Sequence, residues 1–377
     1  MKILVLSHEF PPIGGGGGRA AFDICNQLIK QDHHITVLTA HFDNLPKEET
    51  ISGINILRIP SLRKESYRAK LSTMIAYVLS GLWAGYRFIR NHKPDIIHAH
   101  FAVPAGALAF ILSILTNTPY ILTVHLGDVP GGVPEKTGKW FKWIKPFTYP
   151  IWNRAKRVIA VSEHTRQLAL ANYKVNIDVI PNGADVKLLS PNEIKLNQPV
   201  RLVFAGRFVA QKNPLAIIRI LSELKDLNWR CTMLGDGPLF EEVKNEIKNK
   251  NMEARFELQG WITPEEVLQW FSKSDILFMP SLSEGLPVVG VQALAKGLAI
   301  VASDIGGFKD LVDNEKNGVL INVHDQKKFE QFLRKLITDP NFLLSTRQAS
   351  LEKSLSFDIA IISQKYQIIF QEVFSKF

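Results

Sequence analysis

The chain is poor in cysteine. Cys25 and Cys231 are its only two among 377 residues, and they stand far apart in sequence, in no metal or redox spacing. So few thiols exclude a disulfide scaffold and fit a reducing, cytoplasmic compartment. The N-terminal stretch does not read as a secretory leader, because Lys2 precedes only five apolar or small residues before His8 and Glu9. Long unbroken apolar runs are missing too. The uncharged run 71–86 is 16 residues, short of the roughly 20 that a spanning helix needs. The uncharged run 101–124 is long enough, but Pro104, Gly106 and the breaker Thr116-Asn117-Thr118-Pro119 interrupt it. It reads as a buried helix followed by a buried strand, and no transmembrane helix is predicted.

What remains is the composition of a soluble globular protein, 46% hydrophobic and 21% charged, with length for two domains. The net charge of +9 suits an anionic partner, whether a nucleotide, a membrane surface or nucleic acid.

Short apolar runs alternate with helical patterns, which predicts parallel β/α units. Residues 2–7 (KILVLS) read as a buried strand, followed by five glycines at 14–18 and a helix over 19–30. A glycine turn between strand and helix lets a phosphate approach the backbone. Gly15, Gly17 and Ala20 fit a dinucleotide fingerprint, but too many residues separate them from the strand, so NAD binding ranks low. Residues 58–93 are rich in Arg and Lys around the apolar run and read as one or two amphipathic helices. They either pack on the sheet with solvated ends or touch a membrane surface. His98 and His100 close a strand, and no third ligand nearby supports a metal there. A strand over 120–124 delivers His125 and Asp128 to the carboxyl end of a sheet, where open α/β sheets bind ligands. Segment 131–146 interleaves four lysines with Trp140, Phe141 and Trp143. That composition suits a membrane interface or a loop over an acceptor, and it would also suit single-stranded nucleic acid, though nothing else in the chain does. The tract 187–199 is polar and reads as a linker.

The second half restarts the strand-loop-helix rhythm. Arg207 and Lys212 lie in the loop after a strand, before Pro214 opens a helix, and make an anion clamp. Thr263 and Glu266 have the spacing of a capping box. The stretch Pro280-Ser281-Leu282-Ser283-Glu284-Gly285-Leu286-Pro287 joins an apolar strand to the helical run VVGVQALAKG, with Pro287 at the first helical position. Its product is a helix N-terminus that can bind phosphate, with the Glu284 carboxylate in the same loop.

The pattern P-S-x-x-E-G-[FL]-[GP] at 280–287 resembles that of family-4 retaining glycosyltransferases of the GT-B fold. So do the Arg207–Lys212 pair, the His125…Asp128 pair, and the N-terminal Gly15, Gly16 and Arg19. The resemblance runs the length of the chain. It implies an α/β, GT-B fold of two Rossmann-like β/α/β domains facing across a cleft. Residues 1–186 would form the acceptor-side domain, 187–199 the linker and 200–356 the nucleotide-sugar domain, with a helix over 357–377 returning to the first.

It further implies transfer of a sugar from a nucleoside-diphosphate donor to a hydroxyl, with retention, in cell-surface polysaccharide or glycolipid synthesis. Glu284 would contact the donor sugar and His125 would assist at the reacting centre. Arg207, Lys212, Gly15, Gly16 and the backbone at Leu286 and Pro287 would hold the diphosphate. Gly260 and Trp261 would lie against the nucleobase. Arg19, His100 and Asp128 would stand on the acceptor side. The family places a second Glu eight residues after the first, to hold the ribose hydroxyls; here that position is Gln292. The chain contains no Asp-x-Asp metal motif, so charge neutralisation falls to cations and helix N-termini, with no metal and no cofactor. The expected partners are the nucleotide sugar, a glycan or lipid-linked acceptor and an anionic membrane, and not nucleic acid. The expected location is cytoplasmic, at the inner face of the membrane. Gln292 keeps two alternatives open: a non-catalytic relative that binds nucleotide sugar or a partner, and a nucleotide-sugar epimerase.

Overall fold

The computed structural model describes residues 1–65, 69–133 and 141–376, without the side chains of 141–143. The core of the lysine- and aromatic-rich segment 131–146 therefore lies outside the described residues. The chain divides into two compact units, Met1–Gly183 with Ile359–Phe377, and Ala184–Asp358.

The first unit is built on an eight-stranded sheet. Its strands are β1 (Lys2–Leu6), β2 (His34–Ala40), β3 (Glu48–Ile51), β4 (Ile54–Ile59), β5 (Ile96–His100), β6 (Tyr120–Val124), β7 (Arg157–Ala160) and β8 (Ile177–Val179). Their spatial order is β3-β4-β2-β1-β5-β6-β7-β8, with only the β3–β4 pair antiparallel. A parallel sheet is covered on both faces, so its strands must be apolar on both sides. β1 shows how. Leu4 and Leu6 join one core with Tyr77, Leu108 and Trp152. Ile3 and Val5 join the other with Ile24, Leu28, Ile362 and Phe370. The last two come from the helix Ile359–Phe374, which closes that second face.

Three local outcomes differ from the sequence reading. The first helix spans Gly16–Ile29, so it begins inside the glycine run and not at Arg19. Glycine is a poor helix former, but packing requires it here: a Cβ on Gly17 would sit 2.6 Å from the Phe101 ring, and one on Gly18 2.9 Å from the Glu9 carbonyl oxygen. Next, the basic tract 58–93 is not all helix. Arg58 lies in β4, buried and ion-paired with Glu49, and Arg63 is buried with its guanidinium donating to the His8 carbonyl at 3.3 Å. One 22-residue helix, Leu71–His92, follows. Finally, 187–199 is not a free tether. Val186–Leu189 is a short helix capped by Asp185. Asn197 donates to buried Asp275 at 3.1 Å, and Arg347 bonds both the Lys195 carbonyl (3.0 Å) and Asp275 (2.6 Å). The tract is thereby fastened to the second unit.

The second unit holds a six-stranded, all-parallel sheet: β9 (Val200–Ala205), β10 (Trp229–Leu234), β11 (Phe256–Gly260), β12 (Ile276–Met279), β13 (Ala299–Ser303) and β14 (Gly318–Ile321). The order is β11-β10-β9-β12-β13-β14. Each sheet has a place where the chain reverses its direction of winding: between β1 and β5 in the first, between β9 and β12 in the second. The loops leaving the carboxyl ends of those strands flank the crevice in which such sheets bind ligands. Among the described residues, no helix is long and apolar enough to cross a membrane.

Candidate functional site

In the second unit the two loops at the reversal point are Gly206–Asn213, after β9, and Pro280–Pro287, after β12. They are stitched together. The Leu282 amide donates to the Gln211 carbonyl at 2.8 Å, the Gln211 side chain to the Ser283 carbonyl at 2.8 Å, and the Asn213 side chain to the Pro280 carbonyl at 3.1 Å. Within this frame the Lys212 ammonium lies 2.5 Å from Oε1 of Glu284, and the Ser281 hydroxyl donates to the same oxygen at 2.9 Å. Glu284 is buried and Lys212 half-buried. Two charges held this far out of water require good hydrogen bonding to persist, which the serine and lysine supply.

Arg207 is half-exposed, and among the described residues no carboxylate lies within ion-pair distance of it. A cation left uncompensated at a reversal point is a site for an anion. Leu286 and Pro287 are buried, and Pro287 is the N-cap, one place before the first helical position; the helix is Val288–Ala295. The backbone here is pressed against Gly307, where a Cβ would meet the Gly285 carbonyl oxygen at 1.4 Å. Only glycine allows that approach, and the Gly307 amide donates back to the Glu284 carbonyl at 3.1 Å. Gln292 sits in the second turn of this helix, 7% exposed. Gly260 ends β11 with φ +66°, and Trp261 beside it is exposed.

In the first unit, His125 caps the turn after β6. Its amide donates to Asp128 Oδ2 at 2.8 Å, and its ring accepts the Asp128 amide. Its Nε2 has no protein partner. Neutral imidazole carries one N–H, so the accepting nitrogen places the proton on Nε2, which is free to donate. Burial, outweighing the nearby Glu9 carboxylate, holds the His125 pKa down at about 4, so the ring is neutral near pH 7. Burial raises Asp128 to about 7, against hydrogen bonds from the amides of His125, Val103 and Ala102. Asp128 is thus a buried cap that sets the His125 ring.

His100, expected to stand on the acceptor side, is fully buried. Its ring centroid lies 4.3 Å from that of His98 and 6.1 Å from that of His125. His100 is therefore a buried neighbour of His125 and is not open to an acceptor. Arg19 is ion-paired to Asp23 at 3.0 Å, one helical turn on. Gly15 and Gly16 are exposed, and the Gly15 amide donates to Glu9 Oε2 at 3.1 Å, so a carboxylate of the chain rests on that helix N-terminus.

Two residues of the site have no motif to announce them. Glu9 is one. Phe101 is the other: it holds φ +75°, rare for a bulky residue, and its ring stacks on His125 at 4.5 Å. Backbone strain of this kind persists where the surroundings over-determine it, as at functional sites. Proximity reveals both residues; local sequence could not. Among the described residues, no group of three or more His, Cys, Asp or Glu side chains is placed to hold a metal ion.

The chain is similar to known proteins along its length. Residues 14–188 match the family described as Glycosyltransferase Family 4, and residues 188–353 match Glycosyl transferases group 1. An uncharacterised glycosyltransferase of Methanocaldococcus jannaschii is 27% identical over 95% of this chain and 94% of its own length. The UDP-Gal:alpha-D-GlcNAc-diphosphoundecaprenol alpha-1,3-galactosyltransferase of Escherichia coli is 29% identical over 67% of this chain and 69% of its own. The structure of Anabaena HepE, solved in complex with UDP and glucose, superposes with a TM-score of 0.79 at 18% identity, over 99% of this chain and 100% of that one.

Proposed function

The chain belongs to the family-4 glycosyltransferases of the GT-B fold, and from that premise we propose that it transfers a sugar from a uridine-diphosphate donor, with retention, to a lipid-linked or membrane-proximal glycan. The observation that carries the donor half is the set of Arg207, Lys212, Ser281 and Glu284 at the reversal point of the second sheet. Two cations and a helix N-terminus stand where a diphosphate would accumulate charge as it leaves, and such fixed groups stabilise a developing anion most when water is excluded. Arg207 and Lys212, with the backbone at Leu286 and Pro287, bind the diphosphate. Glu284 orients the sugar through its hydroxyls, which requires the Lys212 ammonium to be shared with the phosphate.

His125 donates from Nε2 to a sugar or acceptor oxygen; a neutral ring with a pKa near 4 is a donor here and not a base. The bond from the anomeric carbon to the phosphate oxygen breaks and its electron pair leaves with the diphosphate. The acceptor oxygen bonds the same face of the sugar, and its proton passes to the departing phosphate oxygen. No carboxylate is assigned as a nucleophile. Gln292 takes the ribose hydroxyls through an amide, and the backbone at Gly260 and Trp261 takes the base. The relative from Escherichia coli, named for a UDP-galactose donor and a lipid diphosphate acceptor, supports the donor and acceptor classes. The net charge of +9 favours an acceptor at the anionic inner face of a membrane.

The test is calorimetric titration with UDP, GDP, ADP and dTDP, in EDTA and then in magnesium. Metal-independent binding of UDP is the expected result; binding that appears only with magnesium, or of another nucleotide alone, overturns the reading.

A further inference from the structure

The helix Leu71–His92 is apolar on the wrong side. Its inner face, Thr73, Tyr77, Gly81, Gly85 and Ile89, is buried. Its outer face carries Leu71, Ile75, Leu79, Trp83 and Tyr86, all exposed, with Leu79 at 64% and Trp83 at 69%. Spacings of four and three residues put them in one stripe. The helix Ala107–Thr116, packed against Leu71–His92, also exposes Ile114 and Leu115. Single exposed apolar residues are ordinary, but a stripe of five along one helix marks a contact surface.

The charge around it says what covers it. From residue 66 to residue 94 the sequence has no Asp or Glu. Lys70 at one end and Arg87, Arg90 and Lys93 at the other are all exposed. The Arg87 guanidinium carbon lies 5.4 Å from the Trp83 ring centroid, so the cation and the indole share one patch. A second copy of this face would set cation against cation with no carboxylate of its own to answer them. Apolar side chains flanked by indole, phenol and cations instead match the boundary of a bilayer: chains among acyl groups, rings at headgroup depth, cations on phosphate.

We propose that the outer face of Leu71–His92 is a docking surface for a bilayer carrying anionic phospholipid, with the helix lying in the plane of the interface. The proposal deepens the reading of a membrane-proximal acceptor and is independent of the donor residues.

The experiment is co-sedimentation of the full chain with vesicles of phosphatidylcholine alone, or with about a third phosphatidylglycerol, beside sedimentation velocity without lipid. The chain should pellet with the anionic vesicles and be released by salt. Leu79→Ser with Trp83→Ser should lower partitioning at least about tenfold. Arg87→Glu with Arg90→Glu should remove the preference for anionic lipid, also about tenfold. Both variants alter exposed side chains, so their thermal unfolding and UDP binding should match the parent. The proposal is overturned if the parent stays in the supernatant with both vesicles, or if both variants pellet as it does. It is also overturned if the parent is a dimer that Leu79→Ser with Trp83→Ser makes monomeric. Vesicle binding without UDP binding would sink the donor reading and leave this one standing.

Discussion

Lys212 and Glu284, 72 residues apart in sequence, meet at 2.5 Å across the two loops of the second sheet's reversal point. The pair joins the cation assigned to the donor's phosphate with the carboxylate assigned to its sugar. Under the proposed assignment, nucleotide binding would share one ammonium between two anions and so tie the positioning of the sugar to the presence of the diphosphate.

Glu284→Ala separates the two roles. Transfer should fall at least about 100-fold, the scale of losing a group that acts at the reacting centre. The affinity for UDP, which has no sugar, should hold or improve, because Lys212 is released to the phosphate. The Lys212 stem reaches solvent, so the loss of stability should stay near 1–2 kcal/mol, below that of breaking a fully buried pair. Parallel calorimetry and turnover check this; transfer near the parent rate would remove Glu284 from its role.

Arg207 has no carboxylate to lose, so Arg207→Ala should leave the unfolding midpoint unchanged while weakening UDP. One charge-assisted hydrogen bond is about 1.5–3 kcal/mol, or roughly 10- to 150-fold in dissociation constant. Arg207→Lys should recover only part of it, since an ammonium cannot present the guanidinium fork. Unchanged affinity in Arg207→Ala would move the diphosphate elsewhere.

Much of this was legible in the sequence where local pattern and tertiary demand agree. The runs 3–6, 120–124, 202–205 and 276–279 of β1, β6, β9 and β12 are buried at every position, as a sheet covered on both faces requires. Arg207, Lys212 and Glu284 stand in loops whose turn chemistry is readable. Where local preference and packing disagree, the sequence misled. Five glycines argue against a helix, yet Gly16–Ile29 starts among them because Phe101 and Glu9 leave no room for side chains. Four residues with two glutamates carry too little pattern to announce the β3–β4 hairpin, and Arg58 is buried only because the hairpin brings Glu49 to it. Glu9 and Phe101 matter only through neighbours distant in sequence.

The buried histidines predict acid sensitivity. Burial lowers His98 to about 3 and His125 to about 4, and His100 well below its usual 6.5. An unfolded chain takes up these protons near pH 6.5; the folded one does not until about pH 4 or below. Between those values the unfolded state binds more protons at these three rings, so their contribution to stability falls on acidification and is level above about 6.5. Each net proton is about 1.4 kcal/mol per pH unit. Asp128, raised from 3.8 to about 7, works the other way and offsets one of the three. Urea midpoints should therefore drop steeply from about pH 6.5 to 4.5, and His100→Leu should flatten the slope by about one proton. An unaltered slope in that variant would mean His100 is charged in the folded state.

Gln292 offers the sharpest single change. The resemblance implies a carboxylate at this place; a carboxylate accepts two hydrogen bonds from a ribose diol, whereas an amide offers one acceptor and one donor group. If Gln292 faces the ribose, Gln292→Glu should tighten UDP by up to about 1.5–3 kcal/mol before the cost of holding the new charge at a 7% exposed site. That burial cost is relieved only by the two ribose hydroxyls, so the gain should appear with UDP and vanish with uracil or pyrophosphate alone. The free enzyme should meanwhile lose stability, because the empty pocket leaves a buried carboxylate without partners. Tighter UDP together with a less stable unliganded enzyme places residue 292 on the ribose. A loss of stability with no gain in affinity would make Gln292 part of the helix packing, and the ribose would then be held by backbone alone.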